Sequence, residues 1–272
     1  TVRGLEVVVK YLLVVTFLMG AAFAQADTSD FLSLCLADDN VTDKSACKPV
    51  HARFFQGDTK HFAPLTPAQV GAPAMSVDPK VQFLIFNDPN YVAGIAYCYF
   101  AFRKWIDPEQ VSPDGVGLTA SGFSILKERL PEYQAWLVSS KEGKACKTRV
   151  LSESGVEVAN LEVSLRDHTA LIGVNPLALV REHGGQIEVI LKEMARTLNH
   201  ERVHAYQVLC PSFEKWSRAQ WERLSSMDQE KVKKRYPSYN WKDPLVAARE
   251  SAAFALEADP KQMVSHLGTC AL

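Results

Sequence analysis

The chain has 272 residues, of which 47% are hydrophobic and 22% are charged, and its formal net charge at pH 7 is -1. This composition is typical of a folded soluble protein, and the length is enough for one large domain or for one domain with a smaller lobe. Because the charge creates no strong basic field, we expect no nucleic-acid partner.

The start of the chain has the pattern of a secretory signal peptide. Basic residues precede an apolar run over 11–22, and Ala22 and Ala24 supply the small residues of a cleavage site. A membrane-spanning helix is the alternative, but such a helix needs ~20 apolar residues and this run is shorter. We therefore predict a signal peptide over 1–26, an exported (secreted or periplasmic) protein, and no stable membrane anchor after cleavage.

The chain has six cysteines, and all of them follow the predicted signal peptide. An even number of cysteines in an exported protein indicates disulfide bonds formed in an oxidising compartment. Several connectivities are possible, and sequence order suggests the pairs Cys35–Cys47, Cys98–Cys146 and Cys210–Cys270.

Residues 27–110 are predicted to form a loop-rich N-terminal region that packs on a domain formed by 111–272. Within the first region, the apolar run over 81–86 predicts a strand, because a proline- and asparagine-rich turn follows it. The aromatic run over 95–105 fits either a strand or a buried helix, and we interpret it as part of the core.

In the second region, Pro113 and two glycines predict a loop over 112–117, and polar residues around Gly143 predict a turn over 141–147. Apolar residues at three- and four-residue spacing predict an amphipathic helix over 123–137, which Pro131 should kink or split. Alternating apolar residues predict neighbouring strands over 156–165 and 169–174.

A long amphipathic helix is predicted from near Gln186 to Leu209, because apolar residues recur there at helical spacing and Cys210-Pro211 follows. Its last turns carry the motif H-E-x-x-H over 200–204.

The spacing of this motif suits a metal site. His200 and His204 lie on the same face of a helix, about one turn apart, and can bind one tetrahedral metal ion. Glu201 can reach a water on that metal. We therefore predict the two histidines as ligands and Glu201 as the general base.

A catalytic zinc site takes three protein ligands and a water. The pattern H-E-x-x-H-x-x-G-x-x-H is excluded, because Gln207 and Cys210 stand where it requires glycine and histidine. The alternative is a glutamate on a helix that Asp243-Pro244 would begin. Glu250 lies among alanines there, where burying an unpaired carboxylate is costly. Glu257, two turns later on a similar face, is the alternative ligand, and a salt bridge to an arginine is the non-functional alternative for both.

The motif over 200–204, the preceding strand and the later helical Glu250 resemble the gluzincin branch of zinc metallopeptidases, over roughly residues 161–257. The resemblance implies an α+β, zincin-like catalytic domain over 111–272, with a small mixed or antiparallel sheet and two ligand-bearing helices. It implies Zn²⁺ bound by His200, His204 and Glu250, with Glu201 as general base. It also implies that the strand over 169–174 borders the cleft and pairs with an extended peptide. The Asn-Glu-x-x-Ser-Asp pattern of the best-known members is absent.

Hydrolysis of an amide also needs a donor for the developing oxyanion. Several tyrosines and a histidine near the C-terminus are available, and we select Tyr239 and His266. The segment over 212–241, which joins the two ligand-bearing helices, is predicted to be a short helical insertion with a solvated basic face.

These observations predict an exported zinc metallopeptidase that acts on a peptide or protein substrate. One alternative is a zinc amidase that acts on cell-wall peptides. A second is a non-catalytic, disulfide-stabilised secreted binding protein. Glu201 argues against the second alternative, because a structural zinc site needs a fourth ligand and no base.

Overall fold

The computed structural model describes residues 30–56, 61–106, 111–237, 239–259 and 262. The predicted signal peptide, His266 and Cys270 lie outside the described residues. Within these ranges, every helix falls short of the length or the apolar character that a membrane span requires.

The strands of the described residues form one mixed sheet in the order β1-β2-β4-β3. Their bounds are Phe62–Pro64 (β1), Val81–Phe86 (β2), Gly122–Leu126 (β3) and Ala170–Val174 (β4). The central strands β2 and β4 run parallel, whereas β1 and β3 run antiparallel to their neighbours. Strands covered on both faces read as continuous apolar runs, and the strands predicted over 81–86 and 169–174 are confirmed.

Helices account for most of the remaining described chain, so the fold is mixed α+β, as predicted. The first are α1 (Phe31–Ala37), α2 (Cys47–Phe54), α3 (Pro89–Val92), which continues through a π-helical segment (Ala93–Tyr97) into α4 (Cys98–Phe102), and α5 (Pro113–Thr119). The next are α6 (Leu130–Ser139), α7 (Lys141–Ala145), which continues through a π-helical segment (Cys146–Leu151) into α8 (Ser152–Ser154), and α9 (Val158–Ser164). The last are α10 (Pro176–His183), α11 (Ile187–Leu209), α12 (Pro211–Arg223), α13 (Ser226–Arg235) and α14 (Pro244–Leu256). Short 3₁₀ turns cover Pro67–Val70, Asp78–Lys80 and Lys127–Arg129.

The sheet separates two apolar clusters, because successive strand residues point to opposite faces. Phe83 and Ile85 of β2 lie in the cluster that includes α11, whereas Leu84 and Phe86 lie in the cluster that includes α4. Helices α1, α2 and α10 contribute to the first cluster. The long helix α11 is therefore packed against one face of the sheet.

Disulfide bonds join two of the three cysteine pairs suggested by sequence order. Cys35–Cys47 links α1 to α2, and Cys98–Cys146 links α4 to the segment that follows α7. The third suggested pair includes Cys270, which lies outside the described residues.

The helix predicted over 123–137 is wrong in its first part. Phe123 and Ile125 belong to β3, are buried in the second cluster, and pair with Gly173 and Leu171 of β4. Pairing with a neighbouring strand therefore overrides a local spacing that also suits a helix. Pro131 lies in the first turn of α6, where its missing N–H leaves no hydrogen bond unmade.

The strand predicted over 156–165 is also wrong, since α9 lies there. Leu161 and Leu165, four residues apart, are buried, whereas Val163 is 59% exposed. The burial pattern thus follows the helical period and not the alternation of a strand.

The predicted loop and the predicted turn are wrong as well, because α5 and α7 begin within them. Each helix follows a serine that caps it: the Ser112 side chain accepts the Gly115 N–H, and the Ser140 side chain accepts the Gly143 N–H. Side-chain capping offsets the low helix propensity of the glycines in these short helices. The aromatic run over 95–105, left open between strand and helix, is largely helical.

Candidate metal centre

Helix α11 has the bounds that the sequence predicts, with Gln186 before its first residue and Cys210 after its last. Its early apolar stripe faces the first cluster, and from Asn199 to Gln207 every residue is buried. The burial arises because β3, α12 and α14 all pack against this helix. The motif over 200–204 therefore lies inside the protein.

Helix α14 begins as predicted. The Asp243 side chain accepts the N–H groups of Leu245 and Val246, and Pro244 occupies the first turn. Alanines on its buried face let α14 approach α11 closely. Glu250, 3% exposed, projects from this face.

The three predicted ligands meet between these two helices. Glu250 Oε2 lies 3.3 Å from His200 Nε2, and Glu250 Oε1 lies 3.4 Å from His204 Nε2. All three side chains are buried, and their ligand atoms lie within 4.8 Å of one another. Glu250 Oε2 is buried and makes no well-directed hydrogen bond. A buried carboxylate oxygen without a hydrogen bond, facing two imidazole nitrogens, fits a bound cation. The group can therefore bind a metal ion.

Glu257, which the sequence offered as the alternative third ligand, does not lie beside Glu250. Its Oε2 lies 3.0 Å from Nδ1 of His200, on the side of the ring away from Glu250, and its Oε1 pairs with Arg196. A carboxylate on the outer nitrogen of a ligating histidine orients the ring and sets its tautomer. Glu257 is therefore in a position to orient His200, and Glu250 is the candidate third ligand.

His204 is oriented in a similar way by Gln207. The Nδ1 atom lies 3.2 Å from Gln207 Oε1, and the Gln207 amide donates to Ser217 Oγ and to the Arg249 carbonyl. In the sequence, Gln207 served only to exclude a longer motif. Its positioning role depends on α12 and α14, which local spacing does not reveal.

When no metal is present, the histidines and glutamates of the site stabilise one another's charged forms. Burial by itself lowers the pKa of His200, but interactions with Glu250 and Glu257 outweigh burial and raise this pKa to about 10. Burial by itself raises the pKa of Glu250, but the two histidines outweigh burial and lower this pKa to about 2. The metal-free site is therefore an ion-paired cluster at neutral pH.

Glu201 lies between α11 and the edge of the sheet. It is buried and interacts with the Ser124 side chain on β3, and burial raises its pKa. A side chain added at Gly122 would lie 3.4 Å from Glu201 Cγ and 2.3 Å from Thr197, so the backbone of β3 runs directly against α11. A desolvated carboxylate with a raised pKa is typical of a group that exchanges protons during catalysis.

The strand beside the site is β3 and not the strand over 169–174. β4 pairs with β2 on one side and with β3 on the other, so its backbone groups are already used. β3 is the last strand of the sheet in this direction and packs against α11. The expectation that residues 169–174 border the cleft as a free edge is therefore wrong.

Tyr239 lies close to the site. Its ring contacts Phe254, which in turn contacts the His200 ring at 4.7 Å between centroids. Burial, together with the charges of Glu250 and Glu201, raises the pKa of Tyr239 well above its usual value. The hydroxyl is therefore protonated at neutral pH and can donate a hydrogen bond, as the selection of Tyr239 requires. The other selected donor, His266, lies outside the described residues.

A cavity of about 50 Å³ opens beside His204 and Glu250. Arg103, Trp105 and Arg249 line it from α14 and from the turn after α4. Trp105 packs against the second apolar cluster, in line with its assignment to the core, and its ring also lies 6.5 Å from that of His204. Sequence reasoning missed Arg103 and considered Arg249 only as a salt-bridge partner of Glu250 or Glu257, whereas Arg249 pairs with Glu214.

The segment that joins the two ligand-bearing helices consists of α12 and α13. α12 packs on both α11 and α14 and is therefore part of the support of the site. α13 is solvated, and Lys231 and Lys233 pair with Asp228 and Glu230. The basic face predicted for this segment is thus confined to α13 and is partly neutralised.

Comparison of the chain with protein-family models, with curated proteins and with solved structures gives no significant match. The class of protein is therefore defined by its fold and site: a mixed α+β protein with a buried His200–His204–Glu250 candidate metal centre.

Proposed function

We propose that the protein is an exported zinc metallopeptidase of the gluzincin type. The observation that carries the proposal is the meeting of His200, His204 and Glu250 around one point, with Glu201 beside them. Two imidazoles and one carboxylate are the ligand set of many catalytic zinc sites, which keep the fourth position open for water. A purely structural zinc site would have four protein ligands and would not need Glu201.

Zinc held by His200, His204 and Glu250 would lower the pKa of a water toward ~7 and would polarise a carbonyl. Glu201 would accept a proton from water and return it to the leaving amine. The hydroxyl of Tyr239 would donate a hydrogen bond to the developing oxyanion. Ser124 and Glu257 keep Glu201 and His200 in position.

The edge strand β3 is the part of the sheet that can hold an extended substrate. Strands that end a sheet can pair with an added peptide strand through their outer backbone groups. Because Ser124 of β3 also touches Glu201, a peptide paired there would pass directly in front of the general base. Export is supported by the disulfides Cys35–Cys47 and Cys98–Cys146, since such bonds persist in oxidising compartments.

The test combines metal analysis with one variant of the base. We expect the purified mature chain to hold about one zinc per chain and to cleave members of a peptide library. Glu201→Gln should keep the zinc and lose hydrolysis by at least ~100-fold. Glu188→Gln, an exposed glutamate in the first turn of α11, is the matched control and should change neither property.

Two results would overturn the proposal. One is a zinc content that His200→Ala leaves unchanged. The other is full hydrolysis by Glu201→Gln. Digestion of peptidoglycan in place of peptides would assign the same centre to cell-wall amide hydrolysis instead.

A further inference from the structure

We propose that the cavity beside the candidate metal centre is a subsite for a substrate carboxylate, which Arg103 and Arg249 bind. The inference rests on the proposed function, because it names the substrate class of the same site. The substrate would carry an acidic side chain next to the cleaved bond, or its own C-terminal carboxylate.

The two arginines reach the cavity from different elements. Arg249 immediately precedes the ligand Glu250 on α14, and Arg103 follows the last residue of α4. Both line the cavity together with His204 and Glu250. A group bound between the guanidinium ions would therefore lie next to the metal ligands.

Most N–H donors of the Arg103 guanidinium are available to a ligand. This guanidinium lies 4.9 Å from the centre of the Trp105 ring, and its one hydrogen bond within the described residues, to Tyr99 Oη, is 3.5 Å long. Within the described ranges no carboxylate forms an ion pair with it. A guanidinium group has five N–H donors, so most of them remain for a ligand. The contact with the Trp105 ring holds the cation in place. The Trp105 ring in turn lies 6.5 Å from the His204 ring, measured between centroids.

The turn that presents Arg103 and Trp105 has an unusual backbone. Lys104 has a φ of 57°, the one positive φ of a non-glycine residue in the described chain. The hydrogen bonds from Lys104 N to the Ala101 carbonyl and from Trp105 N to the Phe100 carbonyl close a helix end at which glycine is usual. Backbone strain of this kind concentrates at functional sites, and here it directs both side chains toward the cavity.

Arg249 is only partly neutralised. One nitrogen donates to Glu214 Oε1 at 3.0 Å, and Glu214 is shared with Arg218. The Nε atom of Arg249 is buried and has no hydrogen-bond partner. The charges of Arg103 and Arg129 also act on Arg249, and Arg103 lines the same cavity as Arg249. The two cavity arginines are thus close enough to repel, and an anion between them would relieve the repulsion.

The acidic groups around the cavity are already engaged. Asp243 caps α14 by accepting the Leu245 and Val246 N–H groups, and Glu250 faces the two histidines. Arg129, the third cation nearby, is paired with Glu128 and Glu132. Positive charge therefore remains available at Arg103 and Arg249.

The size of the cavity also suits a carboxylate. About 10–15 Å³ of such space holds one water-sized group, so a cavity of about 50 Å³ holds a group of a few heavy atoms. A carboxylate is planar and can accept paired N–H bonds from a guanidinium. Leu126, Leu245 and Val246 line the same cavity and can contact the methylene groups that precede the carboxylate.

The first arm of the experiment measures binding by calorimetry to the metal-free mature chain, so that zinc does not bind the probe. The α-amide of N-acetylglutamate is compared with the α-amide of N-acetylglutamine, so that the two differ only in the side-chain carboxylate, and a peptide acid is compared with the same peptide as its amide. We expect the carboxylate of at least one pair to bind roughly 10- to 100-fold more tightly. The first pair identifies an acidic side chain, and the second a free C-terminus.

The variants Arg103→Gln and Arg249→Lys should each remove most of this preference. Arg223→Gln, an exposed arginine at the end of α12, is the control of equal charge change and should keep the preference. Arg103→Glu should instead favour a probe with a cationic side chain. Equal binding of carboxylate and amide in both pairs would overturn the proposal, as would a preference that survives in Arg103→Gln.

The second arm measures hydrolysis by the zinc-loaded chain of peptides with glutamate or glutamine flanking the cleaved bond, and of peptide acids and amides. Hydrolysis without a carboxylate preference would reject the subsite and leave the metallopeptidase intact. Carboxylate binding that depends on Arg103, in a chain without zinc or hydrolysis, would reject the reaction and leave the subsite intact.

Discussion

His200 and Glu257 are joined by a contact of 3.0 Å between Nδ1 of the ring and Oε2 of the carboxylate. The opposite nitrogen of the same ring faces Glu250. Two glutamates of the C-terminal part of the chain therefore act on one histidine from opposite sides, one as a candidate ligand and the other as its support.

We expect Glu257→Ala to lower zinc affinity about 10- to 100-fold, because the ring loses the partner that sets its tautomer and orientation. Glu250→Ala should lower the affinity further, since it removes a ligand. Competition with a chromophoric chelator measures both values. Glu193→Ala is the matched control: Glu193 also pairs with Arg196 but does not contact His200. Equal losses of zinc affinity in Glu257→Ala and Glu250→Ala would contradict the assignment of Glu250 as a ligand and of Glu257 as a support of His200.

Metal binding should release about one proton per chain at pH 7. The raised pKa of His200, about 10, means that the metal-free ring is protonated at that pH, and the ion must replace the proton on Nε2. Zinc affinity should therefore fall as the pH is lowered. Calorimetry in buffers with different heats of ionisation measures the number of protons released. A heat of binding that is the same in all buffers would show that His200 is neutral before the metal binds.

Gly122→Ala should impair hydrolysis far more than zinc binding. The added methyl group would lie 2.3 Å from the Thr197 side chain, so β3 or the turn of α11 that carries Thr197 must shift, and Glu201 lies one turn further along the same helix, 3.4 Å from the new methyl group. Displacements of about 1 Å cost roughly 100-fold in rate. Steady-state kinetics and zinc content are the measurements. Gly115→Ala, whose new methyl group would meet only the Ser112 hydroxyl at 3.1 Å, is the control. Unchanged kcat/KM would mean that β3 has no part in the reaction.

Arg202→Ala should destabilise the fold by about 3–5 kcal/mol, because it leaves the Asp78 carboxylate without its cation. Arg202 is fully buried, and its guanidinium bonds to Asp78 Oδ2 at 2.7 Å and to the Pro73 carbonyl at 2.9 Å. It lies within the motif but points away from the ligands. Urea denaturation measures the loss, and the folded variant should still bind one equivalent of zinc. A stability equal to that of the native chain would show that Asp78 and Arg202 do not depend on each other.

Much of the candidate site was predictable from local pattern. The spacing of His200 and His204, the position of Glu201 and the capped start of α14 at Asp243 all depend on helix geometry, which is set by the backbone. The strands over 81–86 and 169–174 were predictable because both faces are buried, which makes their sequences continuously apolar. Local pattern failed at β3 and α9, where short apolar runs suit both periods and contacts with the rest of the chain decide.

The sequence by itself determined that His200, Glu201 and His204 lie within about one turn of a long helix, because an α-helix has 3.6 residues per turn. It also narrowed the third ligand to two glutamates on one later helix. Only the tertiary structure separated Glu250 from Glu257, because the packing of α14 on α11 places the first at Nε2 of His200 and the second at Nδ1. The same packing brought Arg249 and Arg103 to one cavity, although 146 positions separate them (249 minus 103). Contacts between residues so far apart in the sequence form only when the core folds, so no local sequence pattern predicts them.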